Sequence, residues 1–168
     1  MNLHESANSS EYRLFFFILP ILKPIQLGIQ AGHSAVNLMK KYCVKPLEGT
    51  TAVQREITET WAYRDETFML LDAKSFEGLH YVIDLLESPE NHWPFAVFKE
   101  DMRTLAGLET AVCVVAPKEL FRAKPERSKF DKSMIGYTYT AEDGQVTSYP
   151  LHSFEARLIE CLRYNAAA

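Results

Sequence analysis

Cysteine is scarce in this sequence: Cys43, Cys113 and Cys161 stand far apart, with no CxxC pair among them. Such scarcity excludes a disulfide framework and a cysteine-based zinc site, and it suits a reducing compartment. Glycine-rich phosphate signatures are missing as well, since the chain has neither a P-loop nor a GxGxxG. No two histidines have metal-ligand spacing, so neither a metal nor another cofactor is expected. Positive charge is not in excess. The formal charge of -4 gives no global pull toward nucleic acid, so any RNA contact needs a local basic patch. Long apolar runs are absent too. The densest, Leu14 to Leu19, ends at Pro20, and the segment MNLHESANSSE before it is polar and slightly acidic. Neither a membrane span nor a secretory leader is expected there, and the default location is the cytoplasm.

What the chain does contain fits one globular domain of α/β class. Its 168 residues are 47% hydrophobic and 24% charged, enough for a sizeable core. Residues 1–11 read as a disordered tail, and Arg13 to Leu19 as a buried strand. A helix is expected from Pro24, with Lys40-Lys41 at its C-terminal end. Thr51 to Tyr63 reads as a second helix, Thr67 to Asp72 as a strand, and Ser75 opens a third helix with Leu79, Val82, Ile83 and Leu86 inward. Pro94 to Lys99 and Thr110 to Ala116 supply two more strands, separated by the short polar stretch Glu100 to Leu108. Strands alternating with helices call for a layered α/β domain. Residues 118–132 hold six Lys/Arg against three acidic residues and read as a flexible basic linker. Tyr137 to Thr140, the turn Glu142-Asp143-Gly144 and Val146 to Tyr149 form a hairpin signal, and His152 to Tyr164 an amphipathic helix. This tail is read as a lid or a partner surface.

The most informative stretch is the first helix. Leu27, Ala31, Ala35 and Leu38 fall on one side, while Gln26, Gln30, His33 and Asn37 form a polar stripe without full charge. Gly28 and Gly32 each cost roughly 1 kcal/mol against alanine in a helix, so close approach of the sheet or of a ligand is expected. The stripe reads as a site, beside the plainer alternative of ordinary surface Gln and Asn and a half-buried His. Gly32-His33-Ser34-Ala35-Val36 partly imitates the serine-hydrolase elbow, but its second glycine is missing and the preceding strand ends far upstream. Alternation of Leu27, Ile29 and Ala31 leaves a short strand there as a second alternative.

A strand, a helix bearing Gln30-Ala31-Gly32-His33-Ser34-Ala35, a strand, a helix, PFAVFKEDM and TAVCVVAP follow one another in that order. This order resembles the type II peptidyl-tRNA hydrolase family, nearest its phage and bacterial variants, over about residues 12–120; residues 121–168 lie outside the resemblance as an extension of basic linker, hairpin and helix. The resemblance implies a three-layer α/β/α fold on a four-stranded mixed sheet with one antiparallel strand. It also implies metal-free hydrolysis of the ester joining a peptide to the 3′ end of tRNA. Gln30, His33 and Ser34 match the family's Gln-x-x-His-Ala. The family's lysine seven residues before that histidine is Gln26 here, with Lys23 one turn earlier as a substitute. Asp101 matches the family's acid, or Glu100 in an alignment shifted by one residue, and Thr110 and Thr104 match its threonines. The implied catalytic set is therefore Asp101, Thr110, Gln26 and His33. Lys23, Gln30, Asn37, Glu100, Arg103 and Thr104 stand on the substrate side. Phosphates would be met by Lys23, Arg103, Lys40, Lys41 and the 118–132 run. For Asp101 the plainer alternative is the N-cap of a short helix through Arg103 and Thr104. The rival function is a non-catalytic RNA- or protein-binding module on the same fold. Monomer and homodimer are both left open.

Overall fold

Three consecutive phenylalanines sit at the centre of the computed structural model, which describes residues 11–20 and 24–166. They belong to β1 (Tyr12–Ile18), where Phe15, Phe16 and Phe17 are all fully buried. A strand covered on both faces needs apolar residues at every position, which is why this run shows no alternation. β1 pairs in parallel with β2 (Thr67–Asp72), with Phe17 opposite Leu71. On its other side it pairs antiparallel with β4 (Glu109–Pro117), with Phe17 opposite Val112. β3 (Phe95–Lys99) pairs antiparallel with β4 and completes a four-stranded mixed sheet in the order β2-β1-β4-β3. Only β4 runs against the other three, as the resemblance implied.

Leu14, Phe16 and Ile18 face one helical layer, together with Cys113 and Val115 of β4. That layer is α1 (Pro24–Met39), which contributes Ala31 and Leu38, and α2 (Ala52–Thr60), which contributes Ile57. Each helix runs on into one wider π turn, Lys40–Val44 and Trp61–Asp65 respectively. Thr51 caps α2 as its sequence suggests: Gln54 N donates to Thr51 Oγ1 at 3.1 Å and Thr51 N donates to Gln54 Oε1 at 3.2 Å. The opposite face of the sheet, Phe15, Phe17, Val112 and Val114, meets α3 (Phe76–Glu87) and the C-terminal α6 (Phe154–Ala166). Ser75 caps α3 through Gly78 N at 3.0 Å. No larger residue fits at Gly78, because a Cβ there would lie 2.3 Å from Ala73 O.

The linker expected over residues 118–132 is instead α5 (Lys118–Arg122) followed by β5 (Lys124–Arg127). Most of its charged side chains are exposed, while Leu120 and Ala123 are buried in the core and pin the segment down. β5 joins β6 (Met134–Thr140) and β7 (Val146–Pro150) in an antiparallel three-stranded sheet in the order β5-β6-β7. Tyr137 of β6 and Phe154, Leu158, Ile159 and Leu162 of α6 share one core cluster with Phe15 and Phe17. The C-terminal segment is thus a structural layer of the domain, not a lid upon it. No helix among the described residues is long and apolar enough to cross a membrane.

Two predictions arise from this architecture. Gly28 and Gly32 face open space, with nothing within 4 Å of an added Cβ, so the close approach to the sheet expected of them is not there. Gly28→Ala and Gly32→Ala are each expected to raise stability by up to about 1 kcal/mol, read as a higher Tm. At the other end of the layer, the side chain of Asp65 is 7% exposed; its Oδ2 accepts from Tyr12 N at 2.7 Å and its Oδ1 from Arg64 Nε at 2.7 Å. Burial alone would raise its pKa, but the Arg64 guanidinium and the Tyr12 N–H together hold it below the usual aspartate value. A depressed carboxylate stabilises the fold above its unfolded pKa of about 3.9, and the contribution fades as pH falls through the lower folded value. Asp65→Asn is therefore expected to cost about 1–3 kcal/mol at neutral pH. The gap to wild type should narrow in urea titrations as the pH drops below about 4.

Candidate active site

α1 lies along β3, and the polar stripe that its sequence displays turns toward that strand. Its C-terminal half serves the sheet edge. Asn37 Nδ2 donates to Val97 O at 3.3 Å, and Lys41 Nζ donates to Phe95 O at 3.1 Å. Tyr42 OH accepts from Phe95 N at 3.2 Å and donates to Phe95 O at 3.3 Å. The ammonium of Lys41 also lies 4.0 Å from the centre of the Phe95 ring. An edge strand exposes unpaired N–H and C=O groups, and these side chains satisfy them. Burial lowers the pKa of Lys41. Asn37 and Lys41 thereby have structural partners in the roles where substrate contacts were expected.

The N-terminal half of the stripe meets the loop between β3 and β4. Gln30 Nε2 donates to Glu100 Oε1, and Thr110 Oγ1 donates to Gln30 Oε1 at 3.3 Å. The amide orientation follows from the chemistry. A carboxylate only accepts, so the amide nitrogen faces Glu100, and the carbonyl is left for the Thr110 hydroxyl. Gln30 is 6% exposed and Thr110 0%, whereas Glu100 is half-buried and reaches solvent. Glu100 itself is pinned where β3 ends, its N–H donating to Leu108 O at 2.9 Å across the base of the loop. Inside that loop, α4 (Met102–Leu105) is capped by Asp101, whose Oδ1 accepts from Arg103 N at 2.7 Å. Asp101 and Arg103 are both exposed.

Of the residues expected on sequence, the structure brings together Gln30, Glu100 and Thr110. Glu100 is the carboxylate that accepts from Gln30 of the stripe, while Asp101 caps α4. Thr110 is fully buried, and its hydroxyl meets Gln30. Gln26 is exposed one turn before Gln30, and the His33 ring packs against Phe98 with centroids 4.7 Å apart. Lys23 lies outside the described residues, as does the side chain of Thr104. The continuation of the stripe from Asn37 to Lys41 at a four-residue step is visible in sequence, but its covering of β3 is not. Phe98 as the partner of His33 had no local signal.

Other chemistries are closed off by position. Ser34 is fully buried in mid-helix with Oγ donating to Gln30 O at 2.9 Å, so the elbow is not formed, and α1 leaves no strand at Leu27 to Ala31. Burial pushes Cys113 and Cys161 up to about 12 and raises Cys43 as well, so none is a thiolate near neutral pH. Beyond the loop, Lys99 Nζ is 2.9 Å from Glu109 Oε1, while Lys40 and Lys45 are exposed beside a cleft of about 480 Å³ at the C-terminal end of α1. No family model matches the chain, and no curated protein matches it either.

Proposed function

We propose that the chain hydrolyses the ester joining a peptidyl or other acyl group to the 3′ end of tRNA, with Glu100 as the general base. The observation that carries this reading is the convergence of Gln30, Glu100 and Thr110 from three separate elements at the end of β3. In the proposed reaction, Glu100 takes a proton from water, and the hydroxide adds to the ester carbon. Collapse of the tetrahedral adduct breaks the bond to the ribose oxygen, which recovers the proton from Glu100. The products are the free acid and the ribose hydroxyl, so no other reactant is needed. Gln30 positions the carboxylate and Thr110 positions Gln30, neither touching the substrate. Gln26, exposed on the same stripe, is the donor assigned to the developing oxyanion, in place of the family's lysine. Lys40, Lys45 and Arg103 are the cations assigned to phosphates. A cytoplasmic location, where charged tRNA is met, belongs to this reading.

A binding module without catalysis is the second reading. Gln26 in the lysine position and the use of Asn37 and Lys41 to cover β3 favour it. Incubating the chain with tRNA carrying an N-acetylated amino acid, and following both release and gel-shift binding, separates the two. Catalytic release supports the hydrolase; a shifted tRNA band without release supports the binding module.

A further inference from the structure

β5 is an outer strand of the three-stranded sheet; it begins at Lys124 and ends at Arg127. Between Lys118 and Lys132, the side chains of Arg122, Lys124, Arg127, Lys129 and Lys132 are exposed, and Asp131 is the one exposed carboxylate. Asp131 is engaged within its own turn, its Oδ1 accepting from Ser133 N at 3.0 Å and from Ser133 Oγ at 2.8 Å. Among the described residues, none of the five cations lies within salt-bridge distance of a carboxylate. The chain as a whole has a net charge of -4, so this excess is local. Where β5 begins, Arg122 and Lys124 line a cleft of about 440 Å³ with Thr138, Tyr139, Thr140 and Glu142. Where it ends, a short turn leads into β6. Ser128 Oγ accepts from Phe130 N at 3.2 Å, Ser128 N donates to Ser133 O at 2.8 Å, and Arg127 Nη1 donates to Lys132 O at 3.1 Å. The turn so pinned holds Phe130 99% exposed, more than any other large apolar side chain among the described residues.

From this arrangement we infer that β5 and the turn after it bind single-stranded RNA, with phosphates on the cations and an unpaired base stacked on Phe130. Three features select this partner. The cations are strung along an extended strand, with Lys124 and Arg127 about 10 Å apart, which suits a linear polyanion. Thr138 stands opposite Lys124 in the ladder and so on the same face, where its hydroxyl adds a neutral donor for phosphate or ribose oxygens. Phe130 is flanked by Lys129 and Asp131, not by further apolar residues. It therefore offers a stacking face and not the contiguous apolar patch that a membrane or a protein partner would cover. Bases of a duplex are already stacked on their neighbours, so a lone ring at the tip of a turn meets single strands. A charged track that ends in an aromatic ring is the general means of holding such strands without reading their sequence. Nothing in this contact uses Glu100, so it stands or falls separately from the hydrolase reading.

Fluorescence anisotropy of a labelled oligouridylate of about 12 nucleotides, titrated with the full chain, tests this. Phe130→Ala is expected to weaken binding about tenfold or more, with an unchanged circular dichroism spectrum because the ring is exposed. Lys129→Gln and Lys132→Gln should each lower the slope of log affinity against log salt by about 0.7. In Phe130→Trp, the bound strand should quench the added indole beyond any quenching seen in wild type. Arg55→Gln, which removes an exposed cation of α2, should leave affinity and salt slope unchanged. Glu100→Gln should bind as wild type does, so that lost acyl release with intact binding bears on the hydrolase reading alone. No binding of the oligouridylate by wild type overturns the proposal, as does an affinity that Phe130→Ala leaves unchanged or an added indole that the strand does not quench. Binding to phosphatidylserine vesicles in place of the oligouridylate also overturns it, and makes the turn a membrane contact.

Discussion

Replacing Glu100 by Gln is expected to slow release of the acyl group from charged tRNA by at least about a hundredfold. An amide of the same shape keeps the side chain beside Gln30 but cannot take a proton from water. The fold should barely notice the change. Glu100 is half-buried at a loop base held by backbone bonds, and one altered hydrogen bond there is worth roughly 1 kcal/mol. A Tm shift of no more than about 2–4 °C is expected for a chain of this size. A large rate loss with a small Tm shift separates a catalytic role from a structural one. Gln30→Leu is different in kind, because it strips Thr110 of its acceptor in a fully buried position and so strikes stability and rate together.

The largest stability effect is expected at Phe17. Phe17→Ala should cost about 3–5 kcal/mol, the sum of lost apolar burial and a cavity that the surroundings only partly fill. Phe17 is 0% exposed in the cluster where the sheet, α3 and α6 meet. Neighbours from three layers cannot all collapse into the gap. Because residues of α6 share that cluster, urea unfolding should show one transition whether followed by tryptophan fluorescence or by circular dichroism. A separate early transition of the C-terminal segment would show that this segment is not part of the same cooperative core. At Phe16, on the opposite face, the same truncation disturbs α1 and α2 instead.

Local signals in the sequence were enough for most elements. The Phe-rich run could only be a strand covered on both faces, Thr51 and Ser75 mark their helix starts by capping chemistry, and Glu142-Asp143-Gly144 lies between β6 and β7. Tertiary placement decided the rest. Charge in residues 118–132 suggested a linker, but two buried side chains, Leu120 and Ala123, were enough to hold α5 against the core. The polar stripe was visible, yet its division was not. Nothing local tells Asn37 that its partner is Val97 O, sixty residues away, or Gln30 that its partner is Glu100, seventy residues away. The ambiguity between Glu100 and Asp101 is a shift of a single residue. It turns on which carboxylate follows the β3 end and which caps α4, and that is a property of the loop fold. Gly28 and Gly32 are the reverse case, residues with an apparent reason in sequence that no contact among the described residues supplies.

The most direct test of the hydrolase reading is release of an N-acetylated amino acid from charged tRNA, measured side by side for wild type, Glu100→Gln and Asp101→Asn. Turnover by wild type, its near-complete loss in Glu100→Gln and its survival in Asp101→Asn, whose amide oxygen can still cap α4, is the predicted pattern. Loss in Asp101→Asn with survival in Glu100→Gln, or no release by the wild type, would contradict it.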